Sequence, residues 1–143
     1  MARAPLQVLL RLRGTAVDAA RGELSALLAK EHHASAAARR AEARIAEEMA
    51  QANRIEADDG AVEAFARWLP RGRAAALRTR ALAEEAQADC TLARARLSAA
   101  RAAHEAVKSA LSRQAQQEQA AVARAEQAVL DEAGSRRSTS SQE

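Results

Sequence analysis

Along the first fifty residues the apolar side chains recur at alternating spacings of four and three. Leu6, Leu10, Arg13, Val17, Ala20, Leu24 and Leu27 fall on one stripe, with Arg13 its only charged member. A 3.5-residue period of this kind is the seam of a coiled coil, where one helix buries a narrow face against another. From Ala29 to Arg44 the stripe thins to alanine, which allows close approach but contributes little burial, so this stretch is expected to be the softest part of the pairing. The stripe strengthens again at Ile45, Ile55, Val62 and Leu69, the last three seven residues apart.

Two places invite the helix to stop. Asp58-Asp59-Gly60 offers two good N-cap residues and a glycine before the amphipathic segment AVEAFARWL. Leu69-Pro70-Arg71-Gly72 combines a proline, which disfavours helix at the residue before it, with a glycine that tolerates a reversed backbone; the turn is predicted there. Beyond it nothing breaks a helix until Gly134, a run of roughly sixty residues or about 90 Å at the α-helical rise. Cys90, Leu97, His104 and Leu111 share one heptad phase, Val122 and Val129 another, and Leu77, Leu82 and Leu92 belong to neither, so a drifting register is predicted. The expectation is an all-α fold, a long two-helix antiparallel coiled-coil hairpin with the turn near Leu69–Gly72. Its parts are a first helix over about 5–58, a short segment 61–69, a second helix over about 73–133, and a disordered tail 134–143.

Composition strengthens this reading. Of 143 residues 42 are alanine and 20 arginine, against five glycines and two prolines, so almost every window favours helix. Most of the 48% hydrophobic fraction is alanine, which leaves enough apolar surface for a seam but not for a thick core. Charges of both signs alternate along the chain, as on a solvated coiled-coil surface. Residues 1–60 carry nine basic and nine acidic groups, so the net charge of +3 arises in the second half. There Arg67, Arg71, Arg73, Arg78 and Arg80 follow one another without an acid.

The same region, FARWLPRGR, holds Phe65 and Trp68, the only aromatic residues of the Phe, Tyr and Trp class. At the end of a hairpin they either plug the gap where the helices diverge or anchor a partner, and the two roles are compatible. The surface predicted to meet a partner at this tip is Phe65, Arg67, Trp68, Leu69, Arg71 and Arg73.

Signals for catalysis are missing: there is no GxxxxGK[ST], HExxH, CxxC or GxSxG. His32 and His33 are adjacent, about 100° apart around a helix, and read as solvated polar residues rather than ligands. Cys90 and His104 lie about 21 Å apart along a helix axis, too far to share an ion, and read as seam positions. No catalytic, cofactor-binding or metal-ligating residue is predicted, and the chain is expected not to be an enzyme. One cysteine agrees with a reducing compartment, and no run of about eighteen apolar residues exists, so a soluble cytoplasmic protein is expected.

The opening Pro5-Leu-Gln-Val-Leu-Leu-Arg-Leu-Arg13, the length, the two-helix layout and Glu126-Gln-Ala-Val-Leu-Asp-Glu-Ala133 together resemble the FliJ/YscO group. These are the small coiled-coil stalk proteins of flagellar and virulence-type type III export machinery. The resemblance implies a non-enzymatic stalk, like the γ subunit of a rotary ATPase, coupling a hexameric export ATPase ring to a membrane-embedded export gate and handling export chaperones. It would sit in the cytoplasm, peripheral to the inner membrane through its partners. By the same likeness Leu6, Leu10, Arg11, Arg13, Val122, Val129 and Leu130 would face the ATPase. An injectisome stalk is the nearby alternative, with a flagellar one favoured. A basic nucleic-acid-binding helix, motivated by the pI of 9.9, is weakened by the nineteen interspersed acids and the lack of stacking aromatics. A membrane-surface helix has only residues 1–13 in its favour.

Overall fold

The computed structural model describes residues 3–54 and 58–142. It contains two α-helices, α1 (Arg3–Ala52) and α2 (Asp59–Ser140), and no strand among the described residues. The helices pack against each other as the expected all-α hairpin, but the reversal lies elsewhere.

The helices are separated by residues 53–58, not by Leu69–Gly72. At the end of α1 the amide of Asn53 donates to the Met49 carbonyl at 3.0 Å and that of Arg54 to Gln51 at 3.3 Å, a tightening typical of a helix that stops. Asp58 then caps α2, its Oδ1 accepting from the Ala61 amide at 2.9 Å. The connecting residues 55–57 lie outside the described residues, and with them Ile55 of the expected stripe. The first helix therefore stops at Ala52, short of 58, and the segments expected over 61–69 and 73–133 are one helix with Pro70 inside it.

The physical reason is that a proline penalty is local. Pro70 withholds one amide from the Ala66 carbonyl and crowds it, at about 3 kcal/mol, whereas ending the helix there would give up the contacts of the whole preceding stretch. No described glycine has a positive φ, so Gly72 reverses nothing. The tail expected to be disordered is helical through Ser140. Arg136 pairs with Glu132 at 2.6 Å, and the hydroxyls of Thr139, Ser140 and Ser141 donate back to carbonyls of residues 135–137.

The expected register drift is also absent from α2. Phe65, Leu69, Gly72, Ala76, Thr79, Ala83, Ala86, Cys90, Ala93, Leu97, Ala100, His104, Val107, Leu111 and Gln114 alternate spacings of four and three without a slip, and every one is buried or half-buried. Leu77, Leu82 and Leu92 are exposed because they lie off this line, so the large side chains obscure a seam carried mostly by small ones. Val62, expected in the stripe, is also exposed.

Contacts divide the chain into two units. In Met1–Val17 with Ala100–Glu143, Val17 and Val107 are buried and Arg3 bridges Glu118 at 2.7 Å. Here the expected seam residue Arg13 is exposed and Gly14 takes the inner place, where a Cβ would lie 3.8 Å from the half-buried His104 ring. A methyl group at this position would therefore meet the ring at ordinary van der Waals distance. In Asp18–Ala99 the buried residues are Ala52, Gly72, Ala86, Cys90, Ala93 and Leu97, and Arg96 donates to Glu23 at 2.8 Å. As read from the sequence, Cys90 and His104 are seam residues. Leu97 is 7% exposed and Leu77 69%. Leu97→Ala should therefore cost about 2–3 kcal/mol in chemical denaturation, while Leu77→Ala should stay within about 0.5 kcal/mol of the parent.

Candidate partner-binding site

Within unit Asp18–Ala99, Trp68 is the centre of a cluster that holds the chain's single phenylalanine and single tryptophan. Residues four apart share a helix face, and four residues after Trp68 comes Gly72. The indole lies directly on that glycine: a Cβ at Gly72 would stand 2.5, 2.8 and 2.9 Å from Cη2, Cζ3 and Cζ2 of the ring. Any other residue at this position would displace the indole, so Gly72 serves close approach rather than a turn. The ring thus spans the turn in which Pro70 withholds its hydrogen bond.

Two further contacts fix the indole. The Phe65 ring lies 6.2 Å away between centroids at a 35° tilt, and the Arg44 guanidinium of α1 sits 5.3 Å from the indole centroid, within cation–π range. Trp68 and Phe65 are both half-buried. One part of each ring fills the seam, and the rest bounds two open grooves. The first, about 550 Å³, is lined by Arg40, Ala41 and Arg44 of α1 and by Trp68, Arg71, Gly72 and Ala75 of α2. The second runs between Glu48, Gln51 and Ala52 on one side and Ala61, Ala64 and Phe65 on the other.

Of the residues expected at the tip, the structure brings Phe65, Trp68 and Leu69 to the inner face, half-buried, and leaves Arg67, Arg71 and Arg73 exposed. They stand within α2 rather than on the turn; Trp68 follows the capping Asp58 by ten residues, about 15 Å of helix. Sequence reasoning missed Arg40, Arg44 and Gly72 as members of this site. Glycine four residues after the tryptophan was the available signal, legible only once the helix is taken to continue through Pro70.

The residues expected at the other end divide. Leu6 and Leu10 are half-buried in the seam, whereas Arg11 and Arg13 are exposed. Val122, Val129 and Leu130 are 57%, 66% and 65% exposed, on the stretch of α2 beyond the Arg3–Glu118 bridge where no described residue of α1 is buried against them. Val122 borders a groove with Arg3 and Glu118, and Val129 and Leu130 form an apolar spot with Ala125 and Glu126.

His32 and His33 meet edge-on at 6.3 Å, both exposed, and no group of three potential metal ligands occurs among the described residues. No described helix is long and apolar enough to cross a membrane.

The model of one protein family, described as the flagellar FliJ protein, matches residues 1–143. No curated protein and no solved structure matches the chain significantly.

Proposed function

Because the chain belongs to the FliJ family of flagellar export-apparatus stalk proteins, an adaptor family rather than an enzyme family, we propose that it mechanically couples the export ATPase ring to the export gate and escorts export chaperones. The family match over the whole chain carries this reading. Its physical support is the helical pairing itself. The inner face of α2 keeps its 4/3 spacing from Phe65 to Gln114, which favours a steady helical pairing, and a largely charged outer surface allows contacts that form and release. In this proposal the patch of Phe65, Arg67, Trp68, Leu69, Arg71 and Arg73, completed by Arg40 and Arg44, meets the gate. The exposed Val122, Val129 and Leu130, with Arg11 and Arg13 nearby in sequence to the seam residues Leu6 and Leu10, meets the ATPase. Localisation at the inner membrane would then come through these partners.

Retention of the cognate export ATPase on the immobilised protein tests the first contact. Val129→Asp with Leu130→Asp is expected to reduce retention at least tenfold while circular dichroism stays unchanged, because both side chains already face solvent. Full retention by that variant would remove the ATPase assignment. Normal secretion and motility in a deletion strain, together with no ATPase binding by the parent, would remove the coupling role altogether.

A further inference from the structure

We propose that the groove between α1 and α2 beside Trp68 is a receptor for an acidic polypeptide segment, its carboxylates held by Arg40, Arg44 and Arg71. The inference rests on reading this patch as a contact surface and names the chemistry of what it contacts.

Three arginines from two helices line the groove, and no acidic residue does. Among the described residues none of the three takes part in a salt bridge, although the chain carries nineteen acids. Arg40 and Arg44 are like charges four apart on one helix, an arrangement that costs a few tenths of a kcal/mol in the free protein and is relieved by an anion between them. On α2 Arg67, Arg73 and Arg78 add to the positive field with no acid between residues 64 and 83, while on α1 Glu42, Glu47 and Glu48 flank Arg40 and Arg44 in sequence without lining this groove.

Geometry selects the class of anion. Arg40 and Arg44 are four residues apart, about 6 Å along the axis, close to the roughly 6.6 Å that separates alternate side chains on one side of an extended chain. Each guanidinium offers a fork that matches a carboxylate. Ala41, Ala75 and the edge of Trp68 supply an apolar floor between the charges. A lipid bilayer is flat and demands an apolar helix face to insert, whereas these arginines border a concave channel between two helices. A nucleic-acid strand needs successive stacking rings along a continuous cationic track, and this groove presents one ring.

Trp68 is the only tryptophan and touches Arg44, so its fluorescence reports occupancy directly. The full chain would be titrated with octaglutamate at about 0.15 M salt, where charges more than about 8 Å apart are screened. A saturable change in emission is expected, absent with octaserine. Arg40→Ala with Arg71→Ala should weaken binding at least tenfold; alanine suits a helix, and circular dichroism verifies the fold. Arg124→Ala with Arg136→Ala, removing the same charge far along α2, should change it less than twofold. No emission change, or equal losses in the two variants, would overturn the proposal, as would tighter binding to phosphatidylserine vesicles or to single-stranded DNA at the same salt. Gate binding that survives Arg40→Ala/Arg71→Ala would sink this inference and leave the coupling role standing, whereas octaglutamate binding without any gate binding would do the reverse.

Discussion

Replacing Pro70 by alanine is expected to stabilise the protein by about 3 kcal/mol. Position 70 is the twelfth residue of α2, well past the first turn where a proline is harmless, and its side chain is exposed, so alanine removes no packing. The substitution restores the amide donor to the Ala66 carbonyl and relieves the ring's clash with it. At a turn the same change would be neutral or destabilising, because proline there limits the freedom of the unfolded chain. Chemical denaturation of the parent and Pro70→Ala distinguishes the two cases by sign alone. A gain with unchanged slope would mean a continuous helix, and a loss would mean a turn.

The second large effect belongs to Trp68 and Gly72 as a pair. Trp68→Ala should cost about 2 kcal/mol, less than for a fully buried ring, because the indole is half-buried yet packs on Phe65, Gly72 and Arg44. Gly72→Ala in the parent sets a gain of about 1 kcal/mol in helix propensity against displacement of the indole from a site where the new methyl would stand 2.5 Å away. The ring must move, Trp68 emission should shift to the red, and the propensity gain should be lost. In the Trp68→Ala background the obstruction is gone, and Gly72→Ala should then stabilise by about 1 kcal/mol. A double-mutant cycle measures the difference. Additivity within about 0.5 kcal/mol would mean that the indole does not rest on the glycine.

These two residues also show how far the sequence could be read. The helical class, the antiparallel pairing and the seam residues Cys90, Leu97, His104 and Leu111 followed from periodicity and composition, which act over many residues at once. The turn did not, because two breakers competed and the stronger one was chosen by residue type. Pro70 has the larger intrinsic penalty, but Asp58 has a cap to offer, with its carboxylate on the Ala61 amide, and a helix ends where stopping is stabilised rather than where continuing is hardest. Moving the reversal from about residue 70 to 53–58 shifts every facing pair. For that reason Arg40 and Arg44 could not be placed beside Trp68 from the sequence, while Phe65, Trp68 and Arg71 could be singled out by their rarity and charge. Ser135 to Ser140 read as a disordered tail from composition; their hydroxyls bond back to the helix carbonyls instead.

The register of the two helices is the claim on which the site depends, and the Glu23–Arg96 bridge at 2.8 Å tests it most directly. With Cys90 replaced by alanine, spin labels at positions 23 and 96 should give a short distance set chiefly by the labels' own reach. Were the chain to reverse at Leu69–Gly72, residue 23 would face a position near 118. The labels would then be separated by a further 22 residues of helix, about 33 Å. The short distance is the predicted result, and a distribution centred beyond about 30 Å would contradict it.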